Sequence, residues 1–246
     1  MTAVVWGGKR ESCIGEGHMK QIVFDKIAPS TVKHRVVDLI RDAIIRGDLP
    51  SGEHLTEVDL AKQMAVSRAP IREALRQLEL EGLITNFPNR GCFVTVFTDQ
   101  DVKEVFSLRA ALESMAIESA TSHLTAADFR ALREIVEAQQ QAIRARRLDE
   151  LTKLDMRFHE YICIKADNRR MLKAWYAQSA QCQMLMNRRF RILSDYTPGT
   201  VTGDHTAILN ALKRRDSATA IKLTKSISAR VQAELIEILQ LDPVPA

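Results

Sequence analysis

The chain has 246 residues, of which 46% are hydrophobic and 27% charged, a composition typical of a globular protein with enough apolar material for two domains. It contains no run of about 18 apolar residues, which argues against a membrane span, and its four cysteines are scattered without a CxxC pair, as expected for reduced thiols in the cytoplasm. The 35 basic and 31 acidic residues give a net charge of +4, which is too small to indicate a non-specific, architectural DNA-binding protein.

The first 28 residues include four glycines and show no hydrophobic periodicity, so they predict a disordered leader. They lack the apolar core and cleavage site of a signal peptide. Either Met1 or Met19 could serve as the start of the protein, and the sequence alone leaves both open.

Residues 29–97 predict a small domain that begins with three helices. Ser30 is a suitable N-cap for the first helix, and Gly47 ends it. Thr56 caps a short second helix, and Ser67 caps the third. The apolar positions of the third helix that we expect to face inward are Ile71, Leu75, Leu78 and Leu80.

A β-hairpin is predicted after the third helix, because two β-rich runs, 83–85 and 92–96, flank a turn that contains Pro, Asn and Gly. Arg68 and Arg72 lie four residues apart at the start of the third helix and therefore share one face. A recognition helix reads DNA with its N-terminal residues, and arginine forms paired hydrogen bonds with guanine or phosphate. Two such arginines alone are equally well explained as solvated surface charges. Their position before a hairpin with Arg90 at its tip indicates a winged helix-turn-helix.

The motifs of this domain are the segments Leu55–Ala61, Ser67–Leu75, Leu78–Glu79 and Glu81–Ile84. Ser67–Leu75 reads Ser-Arg-x-Pro-x-Arg-Glu-Ala-Leu, and the whole set resembles the GntR family of bacterial regulators. The resemblance implies that Arg68 and Arg72 make the main contacts with DNA. It implies assisting contacts for Ser67, Ala69, Asn89 and Arg90. Family members often carry Thr at the position of Ala69, so a hydroxyl contact is expected to be missing here.

Residues 98–241 predict an all-α domain, because helical periodicity recurs with short loops and no strand pattern interrupts it. Six helices are expected. Their patterns begin at Thr98 or Asp99 and at Thr125, and cover about 149–166, 169–192, 200–214 and 216–240.

Three residues of this second domain have the types and spacing of metal ligands. Asp155 and His159 lie four residues apart on one helix and point the same way, and His205 lies on a later helix. A carboxylate and two imidazoles from neighbouring helices form a usual metal site in a helical bundle. The alternative is a surface Asp155–His159 pair beside an ordinary, partly buried His205.

Arg109 stands in a largely apolar helix and has two possible roles. It can bind the carboxylate of an effector through paired hydrogen bonds. Equally, it can form a structural salt bridge with Glu113 one turn later.

Several segments of this domain resemble the FCD-type ligand-binding domain of the FadR branch of GntR regulators: Leu108-Arg109 with Glu113, Leu154-Asp155 with Phe158-His159, Asn168, and Asp204–Leu209. The resemblance implies a divalent metal such as zinc, nickel or manganese, held by one Asp and three His beside a small carboxylate ligand, with Arg109 and Asn168 as effector-binding positions. Asp155, His159 and His205 match this ligand set. The fourth ligand is expected eleven residues after Asp216, where this chain has Ile227. The metal is therefore either held by three protein ligands or absent.

The sequence therefore predicts a mainly α protein with a winged helix-turn-helix and an all-helical effector-binding and dimerisation domain. Its expected function is that of a homodimeric transcriptional regulator, a repressor, whose binding to double-stranded operator DNA is modulated by a small organic acid. The alternative is a metal-dependent enzyme that uses the Asp/His/His cluster. Against the enzyme, the sequence has no nucleophile–base pair, and the first domain would have no purpose.

Overall fold

The computed structural model describes residues 31–193 and 198–241. The predicted leader, the Ser30 cap and both candidate start residues lie outside the described residues. The elements in chain order are α1 (Thr31–Arg46), β1 (His54–Leu55), α2 (Glu57–Met64), α3 (Arg68–Leu80), β2 (Ile84–Phe87), β3 (Gly91–Val94), α4 (Asp99–Ala120), α5 (Ala126–Arg144), α6 (Leu148–Lys165), α7 (Arg169–Ile192), α8 (Pro198–Lys213) and α9 (Ser217–Leu241). The predicted fold class, a winged helix-turn-helix followed by a helical bundle, is confirmed.

Helices α1, α2 and α3 form the core of the N-terminal part. Ile40 and Ile71 are fully buried where α1 packs against α3. The Thr56 side chain accepts a hydrogen bond from the Asp59 amide, as its predicted cap role requires. The prediction that Leu80 faces inward is wrong, since this residue is 82% exposed. It lies two positions after the buried Leu78, which is about 200° around the helix, and therefore on the opposite face.

A three-stranded antiparallel sheet in the order β1-β3-β2 forms the wing. The hairpin β2–β3 was predicted, whereas β1 was not, because its two residues carry no strand pattern and pair with residues far along the chain, His54 with Phe93. Gly91 has φ +95° and packs under the His54 ring, where a Cβ would lie 2.7 Å from Nε2. This close approach fixes a glycine at the base of the wing.

Helices α4–α9 form the predicted bundle of six among the described residues. Thr98 and Thr125 begin α4 and α5 with complete capping boxes. The two largest interfaces of the bundle join α4 to α9 and α5 to α6, and the bundle core includes Phe106, Phe158 and Trp175. None of the described helices has the length and apolarity needed to cross a membrane.

Helix α7 of the bundle also packs against α1 of the N-terminal part. The chain from Thr31 onward therefore forms one compact unit. The boundary between residues 97 and 98 stays a prediction, as does the assignment of DNA binding to the first part and effector binding to the second.

Candidate metal centre and DNA-contacting surface

The surface predicted to contact DNA lies at the N-terminal end of α3. Arg68 and Arg72 extend from it with side chains that are 59% and 51% exposed. Both guanidinium groups contact the carboxylate of Glu57, at 3.0 Å from Arg68 Nη2 and 2.8 Å from Arg72 Nε. Ser67 occupies the N-cap position in an extended conformation, but its side chain makes no capping hydrogen bond. Ala69 beside it is exposed.

The wing contributes the other two predicted residues. Asn89 and Arg90 are exposed in the turn between β2 and β3. Asn89 adopts the left-handed conformation with φ 63°, which asparagine tolerates better than most residues. The Arg90 guanidinium carbon lies 5.8 Å from the centre of the Phe87 ring. The wing tip therefore adds a positive charge to a domain that already exposes Arg68 and Arg72.

Asp155, His159 and His205 converge in the interior of the bundle. Asp155 and His159 come from α6 and His205 from α8, and all three are buried. The two Nε2 atoms lie 3.1 Å apart, and Asp155 Oδ1 lies 3.5 Å from His205 Nε2. One ligand atom from each residue falls within 4.8 Å of the others. The alternative of a surface Asp–His pair is therefore wrong for this chain.

The protonation of both imidazoles follows from their outer partners. His159 Nδ1 lies 2.9 Å from a carboxylate oxygen of Glu113, which accepts a hydrogen bond and so requires a proton on Nδ1. Burial raises the pKa of Glu113, but Arg109 and His159 have a larger, opposite effect and lower the pKa to about 2, so this carboxylate is ionised. His205 Nδ1 lies 2.9 Å from Gln139 Oε1.

The orientation of the Gln139 amide is fixed by its own donor. Gln139 Nε2 donates to the backbone carbonyl of Leu154 at 3.1 Å, so Oε1 must face His205. Both histidines therefore carry a proton on Nδ1, and their Nε2 atoms face each other at 3.1 Å. Such a pair of facing nitrogens holds either one proton, which one imidazole donates to the other, or a metal ion bound by both lone pairs.

The distances also fit a divalent metal ion bound by both Nε2 atoms. Burial and the neighbouring His159 lower the pKa of His205 to about 3, so protonation of its Nε2 is unfavourable. With metal–nitrogen bonds of about 2.0–2.1 Å, two ligand nitrogens lie about 2.9 Å apart in octahedral and about 3.4 Å apart in tetrahedral geometry. The observed separation of 3.1 Å lies between these values. The Nδ1 contacts to Glu113 and Gln139 are the outer-shell hydrogen bonds that orient histidine ligands.

The three residues line a cavity of about 30 Å³, enough for an ion with one or two waters. Apolar side chains form much of its wall, among them Phe106, Ile208 and Val231. Ile227 also belongs to this wall, at the position where the FCD resemblance implied a third histidine. Its aliphatic side chain has no ligand atom, so only three of the four positions implied by the resemblance hold a residue type that binds metals.

Arg109 lines the same cavity but is already paired. Its Nε donates to Glu113 at 2.8 Å, and its Nη2 contacts Asp155 at 3.3 Å. The structural salt bridge considered from the sequence is therefore present. Asn168 does not line the cavity: its Oδ1 accepts a hydrogen bond from the Met171 amide as the N-cap of α7. Its prediction as an effector ligand finds no support in this geometry.

Sequence reasoning missed three residues at this site. Glu113 orients His159, Gln139 orients His205, and Arg189 is 1% exposed in the cavity wall, where it donates to Glu234 at 2.6 Å. The i,i+4 spacing of Arg109 and Glu113 was the one signal available for Glu113. The other two contacts join residues on different helices, which no local pattern records.

Comparisons with known proteins agree with this architecture. The chain matches the FCD domain family over residues 104–229 and the family "Bacterial regulatory proteins, gntR family" over residues 32–94. An uncharacterized HTH-type transcriptional regulator, YdhC, from Bacillus subtilis (strain 168) is 28% identical over 182 residues, 74% of this chain and 80% of that protein. The gluconate operon transcriptional repressor of the same organism is 28% identical over 191 residues, 76% and 78% of the two chains. Among solved structures, a GntR transcriptional regulator from Rhodococcus sp. RHA1 has a TM-score of 0.73 at 21% identity, covering 85% of this chain and 99% of that one.

Proposed function

Since the chain belongs to the GntR family of bacterial transcriptional regulators and carries an effector-binding FCD domain, we propose that it is a repressor whose operator binding is controlled by a divalent metal and a small organic acid in the bundle cavity. The observation that carries the proposal is the convergence of three buried acceptors, from Asp155, His159 and His205, at one cavity. The chain is a regulator and not an enzyme, because its family matches and its relatives are transcriptional regulators.

The charges around the cavity support a metal as the link to the acid. With uncharged imidazoles, Arg109, Glu113 and Asp155 sum to −1 (one positive and two negative charges). Two further ion pairs at the wall are internally neutral: Arg189–Glu234 and Arg230–Asp204. A carboxylate would be repelled by this negative cavity, whereas a divalent ion changes the sum to +1 and attracts it. Arg109 would then act mainly by neutralising one carboxylate.

The acid must be small, or the cavity must widen around it. A volume of about 30 Å³ holds an ion and little more. The relative from B. subtilis is named as the repressor of an operon for gluconate, a small hydroxy acid. That name supports both repression and the chemical class proposed here. We place the protein in the cytoplasm, where its operator DNA is, and as a homodimer.

The metal and effector part of the proposal is tested by elemental analysis and DNA binding together. Protein purified without chelator should contain a divalent metal in a ratio approaching one per chain. Sugar acids and other small carboxylates should change its operator affinity, and treatment with EDTA should abolish that change. Metal-free protein with an undiminished response would contradict the metal and leave Arg109 and the two histidines as direct ligands of the acid.

The DNA part is tested with the two arginines of α3. The operator is first selected from a random DNA library with the purified protein. Arg68→Ala and Arg72→Ala should then each weaken binding by about 1–3 kcal/mol if the contact is to a base edge. Fluorescence anisotropy titration measures the effect, and circular dichroism checks the fold. Undiminished affinity in both folded variants would contradict the assignment of α3.

A further inference from the structure

The carboxylate of Glu57 holds both arginines of the DNA-contacting surface at once. Its Oε1 accepts from Arg72 Nε at 2.8 Å, and its Oε2 accepts from Arg72 Nη2 at 2.9 Å and from Arg68 Nη2 at 3.0 Å. Arg68 Nε adds a longer contact of 3.3 Å to the same oxygen. We infer that Glu57 is a specificity-determining residue, which positions the two guanidinium groups for base contacts. The inference rests on the proposed role of these arginines in DNA binding.

The contacts leave the DNA-binding edge of each guanidinium available. A guanidinium has five N–H donors, and the Nε and Nη2 donors of its side edge are the ones that Glu57 uses in both arginines. The end edge, formed by Nη1 and the second Nη2 hydrogen, can still make the paired hydrogen bonds that read guanine O6 and N7. Glu57 can therefore keep both side chains oriented while they contact bases.

Glu57 is itself held in place. It is the first residue of α2, directly after the Thr56 cap, where the helix N-terminus stabilises a negative charge. Its side chain is 25% exposed, less than half the exposure of either arginine. Hydrogen bonds from Arg72 and Arg68 lower its pKa to about 2, so it is ionised at neutral pH. A fixed carboxylate on the helix that packs against α3 is a suitable support for two long, flexible side chains.

The expected consequence is a gain in specificity and a loss in general affinity. A carboxylate beside the arginines reduces the positive charge offered to phosphates, which weakens binding to any DNA. Orientation of the guanidinium groups strengthens only binding to sequences that present guanine at the right positions. Both effects increase the ratio of operator affinity to non-operator affinity, and this ratio is what a genome-wide search requires.

The ratio is measured by titrating Glu57→Gln and Glu57→Ala with the selected operator and with a scrambled duplex of equal length, over a series of salt concentrations. Glu53→Gln is the matched control, because it removes the same charge from an exposed residue of the same domain that contacts neither arginine. We expect both Glu57 variants to lower the affinity ratio about tenfold, with equal or higher affinity for scrambled DNA, and Glu53→Gln to leave the ratio unchanged. An unchanged ratio in folded Glu57 variants would overturn the inference, and this includes the case in which affinity for both duplexes rises equally.

A double-mutant cycle separates this inference from the proposed function. If Glu57 acts through the arginines, Glu57→Gln has no further effect on the ratio in an Arg68→Ala/Arg72→Ala background. If the arginines do not contact DNA, the Arg68→Ala/Arg72→Ala variant keeps full operator affinity, and both proposals are wrong. If that variant loses affinity while Glu57→Gln keeps the wild-type ratio, the arginine assignment stands and only the role of Glu57 is wrong.

Discussion

The two facing Nε2 atoms determine the chemistry of the cavity at the level of single residues. Each histidine has its Nδ1 proton fixed by an acceptor, Glu113 for His159 and Gln139 for His205. An imidazole alone binds metals only weakly, but an imidazole with a fixed tautomer and a buried position has its lone pair aimed before the ion arrives. The structure therefore differs from two histidines that happen to be close, because the outer contacts hold both rings with their Nε2 atoms turned toward each other.

The pH dependence of stability follows from the pKa of His205. In the metal-free protein, burial lowers this pKa to about 3, whereas the unfolded chain titrates near the ordinary value of 6.5. Between these values the unfolded state binds the proton and the native state does not. The contribution of His205 to the free energy of unfolding is therefore complete above pH 6.5 and is lost as the pH falls. The slope is on the order of 1 kcal/mol per pH unit.

Urea titrations in EDTA at pH 6.5 and 4.5 measure this slope. Glu113 and Asp155 have pKa values lowered from 4.5 and 3.8, so their own contributions are lost mainly below this window. His205→Gln cannot take up the proton and should show a smaller loss of stability over the same window. Equal losses in the variant and the wild type would contradict the buried, neutral state of His205.

Ile227 offers a test of the coordination set. Ile227→His places a fourth possible ligand in the cavity wall and changes no other residue. It should tighten zinc binding about tenfold, the equivalent of roughly 1.4 kcal/mol, in competition with a fluorescent chelator. Ile236→His, on the same helix and partly buried but outside the cavity wall, is the control. Equal zinc affinity for both variants would mean that position 227 cannot reach the ion.

The sequence predicted the inner ligands of this site but not its surroundings. Asp155, His159 and His205 were recognisable from their spacing and from a family resemblance. Their outer partners were not, because Glu113 meets His159 across 46 positions and Gln139 meets His205 across 66. Such contacts depend on how helices pack, and an isolated Gln or Glu in a helix carries no sign of its partner.

At the scale of elements, α7 connects the cavity with the N-terminal part that carries the predicted DNA-contacting surface. Met186 and Arg189 line the cavity, and Gln181, two turns earlier, donates to the Glu81 carbonyl at 3.2 Å. That carbonyl lies at the C-terminal end of α3. The Gln181 side chain fits against Gly82 so closely that a Cβ there would lie 2.1 Å from its Nε2. The helix segment from Gln181 to Arg189 spans about 12 Å.

Gln181→Ala should therefore weaken the coupling between the cavity and DNA. We expect normal zinc binding and normal operator affinity in zinc-free protein, but a change in operator affinity on zinc loading that is about two- to fivefold smaller, or roughly 0.5–1 kcal/mol of coupling. Gln183→Ala on the same helix is the control, because it takes no part in the Glu81 contact. Wild-type coupling in Gln181→Ala, measured by anisotropy with and without zinc, would exclude this route.

Helix positions were largely predictable, and strand β1 was not. The pattern for α7 predicted its observed bounds, and that for α8 differs from the structure by two residues at its start and one at its end. The capping residues Thr98 and Thr125 predicted the starts of α4 and α5, since each cap and its acidic partner lie three residues apart. Strand β1 exists only because β3 pairs with it, and so has no signature of its own. Leu80 was misplaced because apolar character was taken to mean burial at the last position of a helix.

At the scale of the whole molecule, the fold presents one recognition helix for each chain. A single helix reads a few base pairs, so specific binding requires two copies on adjacent half-sites. The bundle exposes several large apolar side chains on α4 and α7. Leu108 and Met115, seven residues apart on α4, are 47% and 50% exposed, and Tyr176 on the adjoining α7 is 45% exposed. We therefore expect a homodimer that forms through the bundle.

Light scattering on the full chain should give twice the 27.7 kDa of one chain at micromolar concentration. Leu108→Glu combined with Met115→Glu should shift the dissociation constant upward by at least about tenfold, since two charges would be buried in an apolar contact. The double variant should also lose affinity for a two-half-site operator while keeping its affinity for a single half-site, because the α3 surface is untouched. Leu39→Glu is the control: this residue is 50% exposed on α1, in the N-terminal part, and should leave the dimer intact. If Leu39→Glu dissociates the protein and the α4 variant does not, the contact belongs to the N-terminal part, and the prediction of a dimer formed through the bundle is wrong.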